Sequence, residues 1–202
     1  MSQIDDALIH QIVQRVLQQA AGLTQIPSAS TVTPVAVPQP EPKPSPKSDA
    51  GRKLVAIGAD HGGFELKELL KPLLAELGFE IKDVGTHSKD AVDYPDIAHA
   101  VAKLVGNGEA ARGIVIDGAG IGSCVAANKV PGVRAGMAYD LSTAVNGREH
   151  NDTNVLTLGA GLIGAALAKQ IVTTWLTTEH GGGRHAARVA KITAIEKQYL
   201  KS

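Results

Sequence analysis

Seven of the ten prolines of this 202-residue chain fall between Ile26 and Lys47, and in Pro38-Gln-Pro-Glu-Pro-Lys-Pro-Ser-Pro46 every second residue is proline. Alternate prolines fix φ and remove backbone donors, so such a run enters neither helix nor sheet and is expected as an extended, polyproline-like spacer. It divides the chain into three parts: residues 1–22, a linker over 23–50, and a domain over 51–202.

Ahead of the linker, Ile4, Leu8, Ile12 and Val16 form one row at helical spacing and Ile9, Val13 and Leu17 the row beside it, with Gln11, Gln14, Arg15 and Gln18 opposite. This pattern predicts an amphipathic helix of about four turns, too short to be stable alone in water. Its apolar face needs a partner, which is its own domain, a second copy or another protein. The long spacer favours a docking helix that reaches another protein. A membrane surface fits poorly, because Arg15 is the one firmly basic residue and Asp5 and Asp6 are repelled by anionic lipid.

Twenty Lys and Arg balance twenty Asp and Glu. A formal net charge of zero supplies no basic field for a polyanion, so nucleic acid is not an expected partner. The single cysteine, Cys124, excludes an internal disulfide framework and a cysteine-rich zinc site. No run approaches the roughly 18 to 20 apolar residues of a membrane span, and the N-terminus lacks the basic n-region of a secretory signal. A cytoplasmic setting is expected.

Beyond the linker the hydrophobic period changes repeatedly. Short β-rich runs at 54–58, 80–84, 113–116, 133–137 and 154–158 alternate with helical stretches at about 63–77, 96–106, 121–129, 140–149 and 162–177, and a last helix begins near Arg184. Such alternation predicts an α/β fold of βαβ units, with a parallel sheet covered on both faces. Ligands of such sheets bind beyond the carboxyl ends of the strands, which directs attention to the residues that follow each strand.

After the first strand stand Asp60 and His61 on a glycine turn that feeds a helix. Asp60 suits a helix cap, but the adjacent His61 asks for a further explanation. After the third strand comes Asp117-Gly118-Ala119-Gly120-Ile121-Gly122-Ser123, whose glycines let a backbone approach a phosphate or a developing oxyanion closely. Its spacing does not fit a dinucleotide fingerprint, so no nicotinamide cofactor is expected. A polar cluster, Arg148 to Asn154, precedes the fifth strand. Arg184 and Arg188 share a helical face at i, i+4, either as a phosphate clamp or as a solvated basic face, with His185 adjacent. Trp175 and Cys124 sit among apolar neighbours and read as core. The seven histidines show no metal-site spacing, so no metal is required.

Together these residues resemble the type B ribose-5-phosphate isomerase family, which also includes the galactose-6-phosphate isomerase subunits. The resemblance covers residues 53–197 and rests on Asp60-His61-Gly62-Gly63-Phe64, Asp93-Tyr94-Pro95, Gly118 to Gly122 with Ala126-Ala127-Asn128-Lys129, His150-Asn151-Asp152, and Gly182-Gly183-Arg184-His185 with Arg188. It implies a three-layer sandwich with a five-stranded, Rossmann-like parallel sheet and an active site between two subunits of a homodimer or a dimer of dimers. It also implies a phosphorylated sugar as substrate, with no cofactor.

Under that resemblance Asp60 and His61 hold the sugar phosphate beside Tyr94, and the loop of Gly118, Ala119, Gly120, Ile121, Gly122 and Ser123 stabilises an enediolate. His150 opens the sugar ring, Asn151 binds the substrate, and Arg184 and Arg188 bind the phosphate. Three positions depart from the pattern: Asp117 stands where a cysteine base is usual, Ala119 where a threonine is, and Gly161 where a phosphate-binding arginine is common. The implied activity is an aldose–ketose isomerisation, of ribose 5-phosphate before other sugars, with Asp117 as base. A sugar-phosphate-binding subunit, catalytically silent or dependent on a second chain, and a hexose-phosphate isomerase are the alternatives. The first 20 residues resemble an encapsulation peptide of a bacterial microcompartment, which implies a shell protein as partner.

Overall fold

A computed structural model describes residues 6–21 and 54–200. The chain divides into two compact units, Met1–Ser45 and Pro46–Ser202. The expected linker over 23–50 lies outside the described residues. In the first unit, helix α1 spans Asp6–Ala21, as the apolar period predicts, with Val13 and Val16 half-exposed or more.

The second unit is the expected α/β sandwich. Strands β1 (Leu54–Ala59), β2 (Glu80–Asp83), β3 (Arg112–Asp117), β4 (Ala135–Met137) and β5 (Val155–Gly159) form one sheet in the order β2-β1-β3-β5-β4, every pair parallel. β1, β3 and β5 are buried along nearly their whole length, the mark of a sheet covered on both faces, whereas edge strand β2 alternates between exposed and half-buried residues. Helices α2 (Phe64–Glu76), α3 (Tyr94–Gly106), α4 (Ile121–Ala127), α5 (Leu141–Asn151), α6 (Ala165–Thr177) and α7 (Gly183–Tyr199) complete the unit.

Two apolar clusters divide between the sheet faces. Leu66, Leu70 and Leu74 of α2 and Ile171, Val172 and Trp175 of α6 pack with Ile57, Ile114 and Leu156 on one side. Ala98, Val101, Ala102 and Val105 of α3 pack with Val115 and Val155 on the other. Trp175 is core, as expected, with its indole N–H donated to Thr153 Oγ1 at 2.9 Å. Cys124 is only partly buried, because α4 is one short helix over the sheet end, and its Sγ lies 3.5 Å from the Ala135 carbonyl.

Boundaries differ from the hydrophobic pattern where polar side chains decide them. α3 begins at Tyr94, two residues early, because Asp93 is extended and Pro95 suits the first turn. α4 ends at Ala127, since the Asn128 side chain leaves the helix to bond both the N–H and the C=O of Ala135, as a neighbouring strand would. α5 starts after Asp140, which exchanges capping bonds with Thr143. α6 starts three residues late, because the amides of Leu162 and Ile163 both turn back to the Gly159 carbonyl.

Candidate active site

The strand order reverses between β1 and β3: the chain leaves β1 for β2 on one side and returns to β3 on the other. The crevice at such a switch point is where open α/β sheets bind ligands. Asp60 and Asp117 stand there on adjacent strand ends, with the Asp60 amide donating to the Ile116 carbonyl at 3.1 Å. Asp60 is buried and accepts from the Gly63 amide at 2.9 Å, so its carboxylate holds the turn that starts α2. His61 is exposed, and its Nδ1 lies 3.3 Å from the Val92 carbonyl oxygen and 3.4 Å from the Val92 nitrogen.

Asp117 is 4 % exposed and fully engaged by its own loop. Oδ1 accepts from the amides of Ala119 (2.8 Å) and Gly120, and Oδ2 accepts from the Ser123 amide (3.0 Å) and the Ser123 hydroxyl (2.5 Å). Gly120 adopts φ +79° to turn its amide inward, a conformation a side chain would strain. The loop is thus organised around the carboxylate. Ser123, expected to line the substrate, is completely buried and directs its hydroxyl at Asp117. The amides of Gly118, Ile121 and Gly122 are the ones Asp117 does not draw on. Tyr94 lies against Gly122 and is 41 % exposed, so its ring walls this loop.

A second cluster forms where the end of α5 meets the start of α7. Arg148, 2 % exposed, donates to Asp152 Oδ1 (2.8 Å) and the Thr153 carbonyl (2.6 Å), while Arg134 donates to Asp152 Oδ2 (2.8 Å) and the Asp152 carbonyl (2.9 Å). Clamped between two guanidinium groups, Asp152 takes φ +46° and stops α5 just past His150 and Asn151. The Asn151 amide donates to the carbonyl and side-chain oxygens of Asn146, whose Nδ2 is 2.9 Å from His150 Nδ1. The imidazole of His150 stacks on that of His185, with centroids 4.2 Å apart and planes within 2°.

Arg184 and Arg188 are exposed, and neither forms an ion pair among the described residues. Two guanidinium groups without carboxylate partners beside an imidazole suit an anion such as phosphate. His185 is buried, and its pKa is pushed down by desolvation and by His150, Arg184 and Arg188, against the opposing pull of Glu149. Sequence reasoning noted His185 but assigned it no role, because no period marks a stack between two helices.

Among the described residues, no hydrogen bond, ion pair or ring contact joins the cluster of Asp60, His61, Tyr94 and residues 117–123 to that of His150, Asn151, Arg184, His185 and Arg188. A cavity of about 590 Å³ between β4, α5 and α7 is lined by Asn128, Arg134, Ser142, Asn146 and Asn151 among others, and shares only Asn151 with the expected site residues. No group of three or more His, Cys, Asp or Glu able to hold a metal ion occurs among the described residues. No helix there is long and apolar enough to cross a membrane.

Comparison with known proteins places these features in a family context. Residues 55–192 match the model of a family described as ribose/galactose isomerase. Ribose-5-phosphate isomerase B of Escherichia coli is 47 % identical over 146 residues, which cover 72 % of this chain and 98 % of that protein. A D-erythrulose-4-phosphate isomerase of Pectobacterium atrosepticum is 39 % identical over 148 residues, covering 71 % and 95 %. The structure of Clostridium thermocellum ribose-5-phosphate isomerase B superimposes with a TM-score of 0.71 at 50 % identity, covering 73 % of this chain and 99 % of that one.

Proposed function

Because the chain belongs to the ribose/galactose isomerase family, a family of sugar isomerases, we propose that it interconverts the aldose and ketose forms of a phosphorylated sugar, ribose 5-phosphate and ribulose 5-phosphate before others. The observation that carries this reading is the arrangement at α5 and α7. His150 stacks on His185, which lies beside Arg184 and in the field of Arg188, and neither arginine has a carboxylate partner among the described residues, an arrangement that suits a phosphorylated ring that must be opened before it reacts.

In this reading His150 transfers the proton that opens the furanose, and Arg184 and Arg188 hold the phosphate. Asp117 then takes the proton from C2 of the open aldose, and the electron pair forms the C1–C2 double bond of an enediolate while the C1 carbonyl π pair moves to O1. The 2-hydroxyl proton passes to O1, and as C2=O forms the proton held by Asp117 or one from solvent is returned to C1. Gly118, Ile121 and Gly122 supply amides for the enediolate oxygens, with Tyr94, Asp60 and His61 around them. For Asp117 to act as base, one of its four donors must yield. Ser123 Oγ–H is the donor on a freely rotating bond, so it is the one that leaves as the substrate carbon approaches.

The separation of the two clusters within one chain supports a homodimer in which each copy completes the site of the other. α1 lies outside the family match, which begins at residue 55, and its exposed Val13 and Val16 support a docking helix for a microcompartment shell protein. One observation favours a second reading: every donor on Asp117 comes from its own loop, as for a carboxylate that only organises the turn. The chain is then a sugar-phosphate-binding subunit that depends on a different chain for catalysis. A panel of pentose and hexose phosphates incubated with the purified full chain and followed by NMR separates the two. Turnover of a pentose 5-phosphate supports the isomerase; binding without turnover of any member supports the subunit.

A further inference from the structure

His185 is placed with unusual care for a residue with no assigned task. Three consecutive glycines, Gly181 to Gly183, precede it, and two of them adopt positive φ (+60° and +49°), which lets the chain reverse sharply into α7. The Gly181 amide donates to the Glu149 carbonyl at 2.9 Å and so fastens this turn to α5 one residue before His150. The His185 amide then bonds the Gly182 carbonyl at 2.9 Å, and the ring comes down flat on His150.

The hydrogen-bond pattern fixes the state of the ring as well as its position. Arg184 Nε–H donates to His185 Nε2 at 3.4 Å, and a guanidinium cannot accept, so Nε2 is the bare nitrogen and the proton sits on Nδ1. His185 Nδ1 is buried with no hydrogen-bond partner among the described residues. A second proton would put a cation against Arg184 and Arg188 of α7 and His150 of α5, with only Glu149 to offset it. His185 is held neutral, as a flat surface rather than as a proton donor.

On the isomerase reading given above, we propose that His185 is a positioning residue for ring opening: its neutral imidazole, stacked on His150, fixes the plane in which His150 meets the sugar ring oxygen. His150 is 38 % exposed on its side chain; Asn146 lies 2.9 Å from its Nδ1 and Glu149 3.7 Å from its Nε2, both at the ring edge, and the stack on His185 is the contact that bears on the ring face. The role is confined to one step. The aldopentose 5-phosphate closes through its 4-hydroxyl and must be opened, whereas the matching 2-ketose, with its 5-oxygen phosphorylated, stays open and reaches the enediolate without that step.

The test compares two reactions of the full chain and of His185→Ala and His185→Phe. One is turnover of ribose 5-phosphate; the other is solvent-deuterium exchange at C1 of ribulose 5-phosphate, with thermal unfolding followed alongside. His185→Ala is expected to slow aldose turnover by about 10- to 100-fold, the scale of a lost reacting geometry, while ketose exchange stays close to wild type. His185→Phe, which keeps a flat ring without a titrating nitrogen, is expected to restore most of the loss. Equal losses in both reactions, or no rescue by Phe, overturn the positioning role and leave the isomerase reading intact. A wild-type chain inert in both reactions overturns that reading, and the role of His185 with it.

Discussion

The ring of Tyr94 lies so close over Gly122 that a Cβ on the glycine would sit 2.5 Å from ring carbon Cε2. The contact ties the first turn of α3 to the loop around Asp117. Gly63 shows the same closeness against a less forgiving neighbour: a Cβ there would meet the Ile116 carbonyl oxygen, also at 2.5 Å. The Tyr94 side chain is partly exposed and can swing outward, but the β3 backbone cannot. Gly63→Ala is therefore expected to destabilise the domain by about 2 to 3 kcal/mol, and Gly122→Ala by less than about 1 kcal/mol with its main effect on substrate KM. Urea unfolding and steady-state kinetics on the two variants check this, and equal stability losses contradict it.

Asp117→Asn replaces two acceptor oxygens by one, so an NH₂ group must face the donors of Ser123 or those of Ala119 and Gly120. The expected cost in stability is about 1 to 3 kcal/mol from the unpaired donors, and the expected fall in kcat about 10² to 10⁴ if the carboxylate is the base. Ser123→Ala removes one donor and leaves both carboxylate oxygens of Asp117 in place as acceptors, so its kcat should stay far nearer wild type. A variant Asp117→Asn that turns over at the wild-type rate refutes the base assignment.

Lys67, completely buried in α2, donates to both oxygens of Asp83 at 2.7 Å, and Lys71 adds a third contact at 2.9 Å. Burial by itself raises the pKa of Asp83, but the two ammonium groups and the Gly85 amide outweigh it and hold the carboxyl below its ordinary value. A depressed folded-state pKa contributes stability that is present above the unfolded value, about 3.9, and is lost as pH falls through the folded one. The melting temperature is expected to fall as pH drops below about 4 in the wild type and to fall less with acidification in Asp83→Asn, which is less stable at pH 7. Parallel melting profiles for the two proteins contradict this account.

Arg184→Ala and Arg188→Ala are each expected to weaken binding of a sugar phosphate by roughly ten- to a hundredfold and to change kcat less, because a phosphate remote from the reacting carbons contributes nearly uniform binding. Calorimetric titration with the phosphorylated and the unphosphorylated sugar measures the difference. Unchanged affinity in both variants assigns the two arginines to a solvated face.

Removal of residues 1–47 is expected to leave folding and turnover of the domain unchanged, because an alternating-proline spacer uncouples what it joins. Co-sedimentation with a shell assembly should be lost with the segment. A truncated chain that unfolds, or that no longer self-associates, shows instead that α1 belongs to the domain.

The order of strands and helices in the domain was legible in the chain itself, because a residue's preference for the interior is local and repeats at 2 or 3.6. So was Asp117 at the end of an apolar strand, and so were the glycines that let its loop turn. What tertiary structure decided was the use of each group. Asp60 and His61 lie 56 residues or so before Asp117, and strand reversal between β1 and β3 brings them to one crevice.

Ser123 reads in sequence as one more polar residue of a ligand loop, but the turn sends its hydroxyl inward to the carboxylate. His185 reads as a neighbour of two arginines, and becomes the support of His150 only once three glycines have folded α7 onto α5. The sequence by itself determined the apolar faces of the strands and helices and which residues are chemically able, since both follow from side-chain type and period, but not the burial of Ser123 or Lys67 or the partial exposure of Cys124. The pairing of those residues depends on crossings between elements far apart in the chain, and only the packed fold sets them.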